Sequence, residues 1–92
     1  MKRYIKLNGK VRQLEHINQY TIENDNGEYF QSYDVIVAYI DKNNNIFIDE
    51  NYWDYSQTTT KHLCLFLDCV WSKKTIEEGI KNNEYILTDL NK

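Results

Sequence analysis

Four residues able to act as nucleophile or base fall within a short stretch of "YWDYSQTTTKHLCLFL" (52–67): Ser56, Lys61, His62 and Cys64. A hydroxyl or thiol becomes a useful nucleophile only when a base lies within hydrogen-bond reach and a third group orients that base. Ser56 or Cys64 with His62 or Lys61 could meet the first condition. Nothing nearby meets the second: there is no Gly-rich elbow, no acid at a useful spacing and no recognisable oxyanion donor. Metal ligation would require His16, His62, Cys64 and Cys69 to converge, yet none stands in a Cys-x-x-Cys or His-x-x-x-His relation. Scattered glycines and no Gly-x-x-x-x-Gly-Lys leave no phosphate cradle. The chain therefore reads as a non-enzyme with no catalytic residues, no metal and no cofactor.

The same stretch reads more simply as a junction between a strand and a helix. From Thr58 onward, Leu63, Phe66, Leu67 and Val70 recur at i, i+3, i+4 and i+7, which aligns them on one helix face. Ser56 or Thr58 has the hydroxyl to cap that helix by accepting a bond from a free backbone amide. Lys61, Cys64 and Asp68 fall on the opposite, solvated face, His62 is expected half-buried at the boundary, and Cys69 continues the apolar stripe. Cys64 and Cys69, read as five apart on one helix, would point about 140° apart and could not bridge. At "TIEE", Thr75 and Glu78 stand in the capping-box relation and predict a short second helix ending near Asn82 and Asn83. The tail "EYILTDL" could add an edge strand or pack Tyr85 and Leu87 on the core.

Upstream the period is two. Asn26-Gly27 in "ENDNGEYF" predicts a tight hairpin, since both residues tolerate positive φ. "SYDVIVAYI" places Tyr33, Val35, Val37 and Tyr39 on one face and Ile36, Ala38 and Ile40 on the other, as a central strand covered on both sides would. "DKNNN" (41–45) is a second turn, after which "IFIDENYW" resumes the strand pattern. Near the N-terminus "YIKL" and "VRQLEHI" flank Asn8-Gly9 as a further hairpin, although Val11, Leu14 and Ile17 also fit a helical turn. The expectation is one α+β domain over 1–92: an antiparallel three- to five-stranded β-meander packed against one main α-helix, with a short second C-terminal helix.

At 92 residues the chain buries only a little over ~60% of its unfolded surface, enough for one core. No apolar run approaches the ~20 residues that span a bilayer, and "MKRYIKLNGK" lacks a signal-peptide segment, so a cytosol is the expected compartment. The net charge of −3 is unevenly distributed. Residues 1–16 hold five bases and one acid, whereas residues 17–56 hold one base and eight acids. The acidic block suits a basic partner surface and disfavours direct nucleic-acid binding; its alternative is the solvated outer face of a sheet. The competing reading uses Lys2, Arg3, Lys6, Lys10 and Arg12 to contact nucleic-acid phosphates. Tyr29, Tyr33, Tyr39, Tyr52, Trp53, Tyr55 and Trp71 exceed what so thin a core encloses, and such rings anchor protein interfaces or a homodimer. The expected partner-binding residues are Asp41, Asp49, Glu50, Tyr52, Trp53, Asp54 and Tyr55.

"QSYDVIVAYI" followed by "YWDYSQTTTKHLCLFL" resembles a family of small uncharacterised bacteriophage proteins. In these a Ser-Tyr-x-x-x-x-Ala segment precedes Tyr-Ser-x-Thr-Thr-x-Lys-His-Ile/Leu-x-x-Phe-Leu. The matching residues are Ser32, Tyr33 and Ala38, then Tyr55, Ser56, Thr58, Thr59, Lys61, His62, Leu63, Phe66 and Leu67, with Arg12-Gln13 resembling the start of the pattern. The likeness covers roughly residues 12–70 and departs at "DENYWD" and in the last twenty residues. It implies phage origin and carries no catalytic assignment. Small phage proteins of this kind often bind and disable a host enzyme or defence complex, as anti-CRISPR proteins do. The resemblance thus implies a host partner, such as a nucleic-acid-handling or CRISPR effector protein.

Overall fold

The computed structural model describes residues 5, 7–14, 18–69 and 72–91. Five strands follow one another in chain order: β1 (Lys10–Gln13), β2 (Gln19–Asn24), β3 (Gly27–Ser32), β4 (Val35–Asp41) and β5 (Ile46–Asp49). Two helices come next, α1 (Gln57–Leu67) and α2 (Lys73–Lys81), before the chain returns as β6 (Ile86–Thr88). The sheet order is β1-β2-β3-β4-β5-β6, antiparallel at each pair except β5–β6. The α+β meander with two helices is therefore the fold, with one strand more than three to five. A parallel neighbour needs a crossover connection, and α1 with α2 provides it.

The turns differ in detail from their sequence signals. Asn24 pairs with Gly27, so the β2–β3 loop is Asp25-Asn26, one residue earlier than Asn26-Gly27. Gly27 opens β3 at φ 139°, where a Cβ would collide with the Ile40 carbonyl. "SYDVIVAYI" is not one strand: Tyr33 and Asp34 form the connection between β3 and β4. Strict alternation along β4 also fails, because Phe30 pairs with Ala38 while Gln31 pairs with Ile36, leaving Val37 as a bulge residue. Both Val37 and Ala38 consequently enter the core on the helix side.

That core joins Phe30, Val37, Ala38 and Ile48 of the sheet to Leu63 and Cys64 of α1, Ile76 of α2 and Trp53. Phe66 stacks on Phe30 at 5.8 Å between ring centroids. Each such aliphatic or aromatic side chain contributes about 1.5–3 kcal/mol through removal from water. Ser56 caps α1, its Oγ accepting the Thr59 N–H at 3.1 Å. Cys64 is buried and does not lie on a solvated face; α2 packs into the same cluster, so α1 is covered over a wider arc than the Leu63–Phe66–Leu67 stripe. His62 is buried as well, past the half-buried position expected. Helix α2 starts at Lys73, with the Ser72 carbonyl taking the Thr75 and Ile76 amides, so Thr75 lies inside the helix and is not its cap.

On the other face, cross-strand partners form a row over all six strands: Val11, Ile22, Tyr29, Tyr39, Phe47 and Ile86. Tyr29 stacks on Tyr39 at 4.4 Å and Tyr39 on Phe47 at 5.6 Å. Residues 10–13 are strand and not helical turn, and Gly9 leads directly into them. Lys2, Arg3, Tyr4, Lys6, His16, Ile17, Val70 and Trp71 lie outside the described residues. Among the described residues no helix is long and apolar enough to cross a membrane.

Candidate functional site: an aromatic groove at the strand–helix junction

Strand β5 ends at Asp49, so Tyr52–Tyr55 belong to a loop and do not end a strand. Backbone bonds knit that loop in place: Glu50 N–H to the Thr88 carbonyl at 2.9 Å, Trp53 N–H to Asp49 at 3.2 Å and Tyr55 N–H to Tyr52 at 3.1 Å. The Thr60 hydroxyl donates to the Trp53 carbonyl at 3.2 Å and ties the loop to α1. Tyr52 and Tyr55 meet edge to face, centroids 6.0 Å apart, and Tyr55 is 66% exposed.

These rings form one wall of a groove of about 600 Å³ whose other wall is the β3–β4 turn with Tyr33 and Asp34. Tyr33 sits in the left-handed region at φ 58° and is exposed. For an aromatic residue that conformation costs of order 1–3 kcal/mol and persists only where neighbours enforce it. Here the Tyr33 N–H donates to the Asn18 carbonyl at 2.7 Å and its carbonyl accepts from Gln31 Nε2 at 2.7 Å. Ser32 and Ser56 also line the groove, and both bond the buried Thr59 hydroxyl, at 2.9 and 3.1 Å. The hydroxyl chain Ser32–Thr59–Ser56 thus fixes the sheet end to the first turn of α1. Asp34 is the only charged residue among the described residues lining the groove. A shallower cleft of about 410 Å³ lies on the other side of Ser56, where Lys73 pairs with Asp54 at 3.3 Å and stands 5.9 Å from the Trp53 ring centroid.

The seven residues expected to bind a partner do not form one patch. Tyr52 and Tyr55 line the groove, and Glu50 and Asp54 are exposed in the same loop. Trp53 is largely buried in the core. Asp49 is fully buried: its carboxylate accepts the Leu90 N–H at 2.7 Å, Asn91 Nδ2–H at 3.1 Å and the Asn51 N–H at 3.1 Å. Asp41 lies at the far end of β4, about 20 Å along the strand from the groove. There its carboxylate accepts the Asn43 and Asn45 amides, each at 2.9 Å, and Asn45 Nδ2–H at 3.0 Å, which holds its pKa below the usual carboxylate value. The acidic block is accordingly divided between the two ends of the sheet, with Asp49 inside. Tyr33, one of the surplus rings, and Asp34, which carries no site signal, both read as strand in the sequence, because no Gly, Asn or Pro marks their turn.

The nucleophile candidates have structural partners. Ser56 Oγ donates to Thr59 as well as capping α1, and His62 Nδ1–H donates to the Thr58 carbonyl at 2.7 Å. No group of three or more His, Cys, Asp or Glu residues suited to a metal occurs among the described residues. On β1, Lys10 stands opposite Glu23, which in turn pairs with Glu28, so carboxylates adjoin the basic strand. Neither a curated protein nor a solved structure matches the chain. The family match spans residues 5–84, and on that extent the chain belongs to a Family of unknown function (DUF8033).

Proposed function

We propose that this is a non-enzymatic binding protein, of phage origin, that modulates a host protein by docking a basic segment of it into the Tyr33–Tyr52–Tyr55 groove. The observation that carries this reading is the groove itself: three tyrosine rings around a cleft whose lining, among the described residues, holds one carboxylate, Asp34, and no base. Tyrosine faces attract guanidinium and ammonium groups, and a carboxylate within the same cleft adds to that attraction. Glu50, exposed in the loop that carries Tyr52 and Tyr55, adds negative charge to that loop, while Asp54 is paired with Lys73 at the neighbouring cleft. A nucleic-acid-handling protein or CRISPR effector is the partner class favoured, because such proteins display arginine- and lysine-lined channels. The resemblance to small phage proteins supports the host setting.

The test is affinity capture from host lysate with the wild type, Tyr55→Ala, Asp34→Lys and a distal control, Asp25→Lys. A partner retained by the wild type and the control, and lost by both groove variants with unchanged circular dichroism, supports the proposal. Capture indifferent to the groove variants sinks it. Micromolar binding to DNA or RNA that weakens steeply with salt would favour the nucleic-acid reading.

A further inference from the structure

Helix α1 does not run through to Cys69. It stops at Leu67, and Asp68 turns left-handed at φ 57°, ψ 46°. The Cys69 N–H then donates to the Cys64 carbonyl at 3.0 Å and the Asp68 N–H to Leu65 at 3.2 Å. This pair of bonds, six-to-one and five-to-two, is the Schellman termination, which brings the side chains of the first and sixth residues together. In this chain those residues are the two cysteines. A carbonyl oxygen lies about 2.4 Å from its own Cα and an amide nitrogen about 1.5 Å from its own, so this hydrogen bond keeps the Cys64 and Cys69 Cα atoms within about 7 Å. That is the outer limit for a disulfide, and the bent path shortens it. Cys69 and Tyr85 both pack against the buried cluster that contains Cys64, so the two thiols share one side of the helix end. The 140° separation expected of an uninterrupted helix therefore does not apply.

From this geometry we infer that Cys64 and Cys69 are a reversible redox pair, able to close an intrachain disulfide across the C-terminal cap of α1. The oxidant is a low-molecular-weight disulfide. Cys69, the half-buried partner, attacks as thiolate, forms a mixed disulfide and expels one thiolate. Cys64, almost fully buried, is shielded from so large a reagent and acts second: it gives up its proton, attacks Cys69 Sγ and expels the second thiolate. The protein loses two protons and two electrons, and the small disulfide becomes two thiols. Burial pushes the Cys69 thiol up to about 11, so entry is slow at neutral pH and accelerates about tenfold per pH unit below that value.

The experiment treats the folded, reduced protein with glutathione disulfide between pH 7 and 9 and follows intact mass and free thiols. The expected product has lost about 2 Da and both thiols, with no change in hydrodynamic size, while Cys64→Ser stops as a single glutathione adduct. Wild type that halts at the mixed disulfide, links only between chains, or keeps both thiols folded while reacting in urea overturns the inference. These outcomes are read on the wild type and do not depend on the variant folding.

Discussion

Asn91 completes β4 with its side chain. Its Oδ1 accepts the Ile36 N–H at 2.7 Å and its Nδ2–H donates to the Ile36 carbonyl at 2.8 Å, on the edge left bare where β4–β5 pairing stops at Ala38 and Ile48. One amide thus replaces a strand residue beside the Val37 bulge. Asn91→Ala leaves a buried backbone N–H and C=O without partners, which costs about 2–3 kcal/mol. Thermal unfolding is expected to shift down by roughly 10 °C or more for a chain of this size. A shift within a degree or two would mean that water takes over both bonds.

Asp49 anchors the same tail, so charge reversal at the acidic residues has two distinct outcomes. Asp49→Lys buries an unpaired ammonium and removes the acceptor for Leu90, Asn91 and Asn51. A loss of about 3–5 kcal/mol is expected, enough to unfold much of the protein at 25 °C. Glu50→Lys and Asp54→Lys act at exposed positions, and Asp54 gives up only a surface pair with Lys73. Those two variants should retain native circular dichroism and urea midpoints within about 1 kcal/mol of wild type. Native stability in Asp49→Lys would contradict the buried placement.

How much of this was legible in the sequence follows from which interactions are local. The α1 stripe and its Ser56 cap depend on residues within one or two turns, and spacing revealed them. The meander followed from the Asn26-Gly27 signal, one residue off the observed loop, and from the polar break at 41–45. The Tyr33-Asp34 turn was hidden because its left-handed residue is a tyrosine, held by Asn18 and Gln31 from outside the turn. Asp49 looked like a surface acid because its three donors, one of them Asn91, are assembled by the fold, two of them about forty positions away along the chain. The cysteine geometry was misjudged for a related reason: nothing in "LCLFLDCV" announces that Asp68 would take the position usually given to Gly. The groove inherits these misses, since one wall is the unrecognised turn.

Asp41 makes the β4–β5 turn sensitive to acid. Hydrogen bonds from the Asn45 side chain and backbone, with Asn43, hold its carboxyl below the ordinary value of 3.8. A folded value below the unfolded one gives a contribution to stability that is fully present above the unfolded pKa and is lost as pH falls through the folded one. Asn45→Ala should move the Asp41 midpoint up towards 3.8, measured by NMR titration of the side-chain carboxyl carbon, and the variant's stability should vary less with pH on the acid side. An unmoved midpoint would show that the Asn45 bonds do not hold in solution.

Tyr33 tests whether the groove displays its rings at a cost to the fold. Relief of a left-handed tyrosine is worth about 1–3 kcal/mol, and glycine returns about 0.5–1 kcal/mol of that through the freedom it adds to the unfolded chain. With its side chain exposed, Tyr33 loses little burial on truncation. Tyr33→Gly should therefore match or exceed wild-type stability in urea by up to about 2 kcal/mol. Tyr33→Val, β-branched at φ 58°, should fall by about 1–2 kcal/mol. Both variants should weaken capture of a basic partner, which separates the ring's role in binding from its effect on folding. A Tyr33→Gly protein less stable than wild type by more than about 1 kcal/mol would mean that the ring holds the turn together and is not there to be displayed.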